Sequence, residues 1–269
     1  MTGVDTGAGR RPRLGRWSLA AVVVLVVAAW SAHALGLHET NPARIGEGLG
    51  FLFAASLPPD ASVLSVGLRA LLETLYIAYV GTLVGVALSL PLSLLATRTL
   101  FRRAVCLPAR WFLALLRVLP SILWAVIFVI LVGTGPLAGV LAISLYTTGF
   151  VGKLAYEALE DLDPGPREAV EALGASRLQV LRHVVVPQAG SALTSQALFT
   201  FEYNVRHASA IGIVGAGGIG YYIMGYLEFF AYDRVVVLLA LVFVVVIAID
   251  ELSYRLRSLV LGEAARNGR

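Results

Sequence analysis

Glu202, Asn204, Arg206 and His207 crowd into residues 202–207 of an otherwise apolar run. A charge placed mid-bilayer costs about 2.5–3.5 kcal/mol on insertion scales, so such residues face a partner or a watery pathway. Glu202 and Arg206 are spaced i,i+4 and can meet on one helix face. They either neutralise each other, or Arg206 or Asn204, with Ser209 beyond, meets an anion in transit. Arg117, just ahead of Pro120, poses the same question. Glu73 and the pair Asp250–Glu251 sit nearer the ends of apolar runs and read as structural. Catalytic chemistry finds no foothold. No nucleophile–base set stands out, and Cys106 is a lone thiol. His33, His38, His183 and His207 lack the spacing of metal ligands.

A second constellation lies in the charged stretch 157–188. Asp163-Pro164-Gly165-Pro166 opens it, and proline suits the first turn of a helix. Glu168 and Glu171 are expected in the first turns, where the helix dipole favours acid. Gly174 can end that helix in a left-handed conformation. Ser176 with Gln179 has the spacing of a capping box. A second short helix should then run through Leu178, Val180 and Leu181 towards Pro187. The expectation is two short helices hinged at a glycine and anchored between apolar spans. A plain solvated loop is the alternative. A DNA-reading helix-turn-helix fits poorly with balanced charge at a membrane.

The third motif is glycine-rich. Gly215, Gly217 and Gly220 satisfy Gly-x-Gly-x-x-Gly, with Gly212 and Gly218 beside them. A dinucleotide site needs a preceding strand and a βαβ unit. Here an apolar span precedes the glycines, so they read as close helix packing or a break.

The elements that must position these residues are helices in a bilayer. Apolar residues make up 58% of the chain, charged residues 14%, and mean hydropathy is +0.81. Soluble domains carry about 25% charged residues. Apolar stretches fall at about 17–36, 69–97, 111–133, 135–152, 189–212 and 235–256, each about the 20 residues a span needs. Gly133-Thr134-Gly135-Pro136 separates two of them as a tight hairpin. The loop 37–68 holds Phe51, Leu52 and Phe53 and suits a short helix on the outer surface. Sixteen of the 21 lysines and arginines fall in four segments on one side: Arg10–Arg16, Arg98–Arg110, Lys153–Arg182 and Arg255–Arg269. The positive-inside rule then places both termini in the cytoplasm. It also explains the net charge of +4 without nucleic acid. We read the first stretch as an uncleaved anchor. The rival is a signal peptide cut after Ala32-His33-Ala34.

Two motifs resemble known families. Glu168-Ala169-Val170, then Gly174, Ala175, Ser176 and Val184-Val185-Val186-Pro187, resemble the EAA loop of ABC importer permeases. Val170, Val184 and Val186 depart conservatively from that pattern. Asn204-Val205-Arg206, Ser209, Gly212 and Val214–Gly220 resemble the permeases of phosphonate importers, the PhnE-like family, over about residues 69–256. Methionine-type permeases share the glycine-rich run.

The resemblance implies an all-α, six-span membrane protein with the type I ABC importer (MetI-like) fold. It implies an N-terminal segment 1–68, a permease core 69–260 containing a coupling loop 153–188, and a tail 261–269. The permease would be a homodimer in a bacterial-type inner membrane. Its partners would be two ATP-binding subunits and an extracytoplasmic phosphonate-type binding protein. ATP and Mg would sit on the partner ATPase, since the chain lacks Gly-x-x-x-x-Gly-Lys-Ser/Thr. The chain itself would be no enzyme. Residues Glu168, Ala169, Glu171, Gly174, Ala175, Ser176 and Pro187 would contact the ATPase. Residues Glu202, Asn204, Arg206, Ser209 and Arg117 would border the pathway. Gly212, Gly215, Gly217, Gly218 and Gly220 would serve gating or packing. The alternatives are a permease for methionine or another small solute, and a membrane-embedded enzyme.

Overall fold

A computed structural model describes residues 14–36 and 41–267. Arg10, Arg11, Arg13, His38 and Arg269 lie outside the described residues, as do the side chains of Arg16, Arg177 and Arg266. Among the described residues every regular element is helical. The chain divides into two compact units, Met1–Ala54 and Ala55–Arg269.

The first unit holds α1 (Leu14–Ala34) and α2 (Pro42–Ala55). The window Trp17–Ala34 of α1 is long and apolar enough to cross a membrane. The short helix expected in that loop is α2, on which Phe51, Leu52 and Phe53 are exposed.

The second unit is a helical bundle. It comprises α3 (Leu64–Ala96), α4 (Arg103–Val118), α5 (Ser121–Val132), α6 (Pro136–Glu160), α7 (Pro164–Ala172), α8 (Arg177–Val180), α9 (Val186–Ile211), α10 (Ile219–Glu228) and α11 (Tyr232–Asn267). Ala61–Ala96, Pro136–Glu160 and Tyr232–Leu259 can each cross a membrane unbroken. Two bent pairs supply the rest: α4 with α5 turns by 84°, and Leu178–Val214 with α10 by 40°. Counting each bent pair once gives six spans, the number expected.

The span expected at about 111–133 is present but broken, and it begins earlier, at Arg103. Pro120 cannot donate a helical hydrogen bond, and its ring pushes the preceding residue out of helical geometry. Leu119 accordingly sits at φ −93°, ψ 131°. Trp124 closes the elbow by donating Nε1–H to the Leu116 carbonyl at 3.1 Å. The hairpin at 133–136 is as expected, with Gly133 and Gly135 both at positive φ.

Small residues let the helices approach closely, the usual device where lipid removes the hydrophobic drive for association. Where α3 crosses α6, a Cβ on Gly81 would lie 2.7 Å from Ile143, and one on Gly85 would lie 2.5 Å from Thr147. Ile77, Ala78, Ala142, Ile143, Val205 and Ile211 form the central core of α3, α6 and α9. Leu71, Ile219, Ile223 and Leu238 form a second core that joins α3, α10 and α11. Buried hydroxyls fold back on their own helices, as Thr74, Thr82 and Thr97 do onto the carbonyls of Ala70, Ala78 and Ser93. These three hydroxyl hydrogens are thereby paired at membrane depth, where water cannot serve.

Candidate functional site

The charged stretch folds into a hinged module. Asp163 caps α7 by accepting the Gly165 N–H at 3.0 Å, and Pro164 occupies the first turn. Acidic residues do not occupy that turn. Glu168 lies mid-helix and Glu171 near the C-terminus, because the helix starts at Pro164 and spans only nine residues. Glu171 is held by Arg167, Nε to Oε1, at 2.7 Å.

Gly174 ends α7 at φ +85°, with its N–H on the Glu171 carbonyl and the Ala175 N–H on that of Val170. An L side chain carries a conformational penalty at such an angle. A Cβ there would meet nothing within 4 Å, so the angle rather than space selects glycine. Gln179 reaches back to accept the Ser176 N–H at 2.7 Å, one half of the expected box.

The second helix is not a separate short element. Four residues of α8 pass through a wide π turn, Leu181–Val185, straight into α9. Pro187 explains the turn. Its ring would clash with a carbonyl in regular α geometry, and a π turn relieves that. Residues Arg177–Val185 thus prolong α9 and are linked through Gly174 to α7 and α6.

The module is also fastened to its neighbours. Arg167 donates Nη1–H to the Thr99 carbonyl at 2.6 Å, tying α7 to the α3–α4 loop. Leu159, Val180, Val185 and Ala189 bury together, with Val170 and Ala175 packed on them. Arg110 pairs with Glu160 and donates Nε–H to the Ala96 carbonyl at 2.8 Å, so α3, α4 and α6 meet at one point. Glu168, Ala169, Leu173, Leu178 and Pro187 remain exposed. Leu173 and Leu178, at 87% and 72% exposure, are apolar knobs on a charged module. Such a surface suits a docked partner better than water.

Within the spans, Asn204 is 1% exposed and lies where α3, α6 and α9 meet. Its amide donates to the hydroxyls of Thr82 and Thr147, both at 2.8 Å. Both donors are thereby used inside the bundle. Glu202 and Arg206 pair at 2.7 Å, the i,i+4 contact expected. They are half of a quartet. Arg206 also reaches Asp250 at 2.6 Å, and Arg257 reaches the other Glu202 oxygen at 3.0 Å. Two acids and two bases thus join α9 to α11. Ser209 bonds back to the Val205 carbonyl and, with Arg206, borders an apolar groove of about 610 Å³ beside α11.

His207 faces a different way. Its Nδ1 shares a 2.6 Å hydrogen bond with Ser121 Oγ at the start of α5. Its ring stacks on Tyr203 at 4.1 Å and lies 5.8 Å from Tyr146 of α6. Arg117 packs along α6, where a Cβ on Gly149 would lie 2.7 Å from its Cγ.

The glycine-rich run is a turn between α9 and α10. Gly215, Gly217 and Gly218 all have positive φ. Glu73 Oε1 accepts the Gly218 N–H at 2.9 Å, and Thr74 Oγ1 accepts the Ile219 N–H at 2.8 Å. Two N–H groups at the start of α10 are thus capped by α3. A Cβ on Gly220 would stand 2.1 Å from the Ser209 carbonyl, and one on Gly212 would stand 2.6 Å from that of Gly217.

The residue pattern pointed to Glu202–Arg206 but not to Arg257, Thr82, Thr147, Tyr146 or Tyr203. Arg98, Arg110 and Arg167 entered it for topology alone. No local signal marks these pairings, because each joins helices far apart in the chain. Among the described residues no group of His, Cys, Asp or Glu could hold a metal.

Six spans, two of them broken, with a stiff hinged module at one end, define a multi-pass membrane permease. Residues 89–258 match the family described as the binding-protein-dependent transport system inner membrane component. The phosphate-import permease protein PhnE of Mycolicibacterium smegmatis is 36% identical over 92% of this chain, which spans 47% of that protein. The phosphite transport system permease protein PtxC of Stutzerimonas stutzeri is 37% identical over 93% of this chain and 90% of its own length. Among solved structures, an inward-facing MetNI methionine ABC transporter chain superposes with a TM-score of 0.66 at 25% identity, covering 75% of this chain and 99% of that one. The chain belongs to the inner-membrane components of binding-protein-dependent transport systems. It is a transport subunit and not an enzyme.

Proposed function

We propose that this chain is the permease of an ATP-driven importer for a phosphonate or a related phosphorus oxyanion. The carrying observation is the module at Pro164–Val185, in which Gly174 joins α7 to a prolongation of α9 and Leu173 and Leu178 are exposed. Such a lever fits a cleft on an ATP-hydrolysing subunit, with Glu168, Ala169, Gly174, Ala175, Ser176 and Pro187 at or beside the contact and Glu171 bracing it. Two copies of the chain would form the pathway, with two ATPase subunits bearing ATP and Mg. A binding protein would deliver the solute from outside, with both termini of the permease in the cytoplasm. The oxyanion class rests on relatives named for phosphate import and phosphite transport that align along almost all of this chain. The methionine transporter shares the fold, so methionine is the second reading.

Within the pathway reading we assign Arg117 to the solute. We give Glu202, Asn204, Arg206 and Ser209 to holding α9 in place. The glycines 212–220 serve packing of the α9–α10 turn.

The test is reconstitution of the chain with its ATPase and candidate binding proteins in liposomes. Stimulation of ATP hydrolysis and uptake by a binding protein loaded with phosphonate, phosphite or phosphate is the expected result. Stimulation by methionine alone would refute the oxyanion assignment.

A further inference from the structure

We infer that Arg117, Ser121, Tyr146, Tyr203 and His207 form an oxyanion way-station inside the permease, where a small tetrahedral anion pauses in transit. The site deepens the importer reading above and rests on it. Three facts converge. First, Arg117 makes no hydrogen bond or ion pair among the described residues, and its Nε is buried without a partner. A guanidinium carries five donors in a planar fork that suits two oxygens of one anion. Left empty at membrane depth, that fork is costly.

Second, the neighbours are hydroxyl and imidazole groups, not carboxylates. The Tyr146 and Tyr203 rings lie 6.5 Å apart, and Arg117 packs against Gly149, about one turn along α6 from Tyr146. Ser121 and His207 are joined at 2.6 Å, and His207 lies against both tyrosine rings. Each of these side chains is half-buried except Ser121, which is buried. Third, the cluster sits on the 84° elbow between α4 and α5. The first turn of α5 begins at Ser121, and a helix start leaves N–H groups without intrahelical partners. A broken span that presents its helix start near the cluster adds positive potential for an anion.

The contrast with Arg206 is direct. Arg206 has two carboxylates, Glu202 and Asp250, and its charge is already balanced. Arg117 has no such partner, and an anionic solute supplies one.

The test uses the assembled transporter in liposomes, with radiolabelled phosphate and phosphite as probes. Arg117→Gln should lower uptake per ATP hydrolysed by about tenfold or more, since it removes a charge-assisted contact. ATPase stimulation by the loaded binding protein should persist. Arg117→Lys should recover some of the uptake, because it restores charge without the fork. Tyr203→Phe, which deletes one oxygen and keeps the stacked ring, should lower uptake several-fold, about the worth of one neutral hydrogen bond. Wild-type uptake by Arg117→Gln or by Tyr203→Phe would overturn the site. Loss of uptake and ATPase stimulation in equal proportion in Arg117→Gln would also overturn it, because that marks a positioning residue. Should Arg117→Gln fail to reach the membrane, Tyr203→Phe decides alone. A wild-type complex that carries methionine and neither anion refutes the importer reading itself, and that result precedes any variant.

Discussion

Asn204→Ala separates a structural asparagine from a pathway one. The side chain is 1% exposed and ties α9 to α3 through Thr82 and to α6 through Thr147, each at 2.8 Å. Interhelical hydrogen bonds in membrane proteins are worth about 0.6 to 1.7 kcal/mol apiece. Losing two should cost about 1–3 kcal/mol. The amide oxygen has no partner in the bundle, so its removal returns some of a burial penalty and favours the lower half of that range. Unfolding of the purified permease in mixed micelles, titrated with a denaturing detergent, reads the loss. Double-mutant cycles with Thr82→Val and Thr147→Val should each show coupling of about 0.5 kcal/mol or more. Uptake per folded molecule should be unchanged. Full stability with lost uptake would refute the reasoning and return Asn204 to the pathway. So would zero coupling to both threonines.

The remaining expectations concern the hinge, the elbow anchor, the quartet and the glycine turn. Gly174→Val should leave membrane insertion intact but abolish ATPase stimulation by the loaded binding protein, while Gly174→Asn, tolerant of left-handed geometry, should retain it; equal behaviour of the two would sink the hinge argument. Arg110→Ala should lower the melting temperature of the complex, because it frees the Ala96 carbonyl and Glu160 together; an unchanged melting curve would contradict that anchor. Arg206→Ala should also lower it, and Arg206→Ala/Asp250→Asn should regain most of the loss, since the second change removes the stranded carboxylate. Gly220→Ala should block accumulation of folded protein, its Cβ falling 2.1 Å from the Ser209 carbonyl, while Gly225→Ala, with nothing within 4 Å, should accumulate normally.

Much of this fold was legible because a bilayer simplifies the problem. Span length, basic asymmetry and helix punctuation are all local in sequence, and they located the six spans, the Gly133–Pro136 hairpin and the Gly174 hinge. The errors have local causes too. Pro120 was visible, but apolar residues on both sides made one span of two helices. Pro187 read as an end because a π turn that absorbs a proline has no sequence signature of its own. The first turn of α7 was misjudged by letting Glu168 and Glu171 outweigh Pro164. What the sequence could not disclose is helix rotation. Asn204 and His207 are three residues apart on α9 and so lie on roughly adjacent faces, yet one locks into the bundle and the other joins Ser121 and the tyrosines. Tyr146 and Tyr203 looked like two more aromatics in apolar spans until α6 and α9 were brought together.

The charges and the lever meet on the same helices. Several cations near the spans of the second unit are balanced: Arg110 by Glu160, Arg234 by Asp60, and Arg206 and Arg257 by Glu202 and Asp250. Asp60, held below the usual carboxylate range by the Ser62 hydroxyl and N–H and by Arg234, stays ionised to keep its pair. Arg117 has no such carboxylate among the described residues, and its Nε is buried without a partner. The hinged module joins α6, which carries Tyr146, to α9, which carries Tyr203 and His207. α8 runs through the π turn into α9, while Gly174 separates that helix from α7 and α6. Arg110 and Glu160 tie α4, and with it Arg117, to the α6 end of that hinge. The importer reading therefore predicts that motion at the module changes the spacing between Arg117 and the α9 side chains. A site that grips an anion at one spacing and loosens at another needs only those three helices and that one hinge.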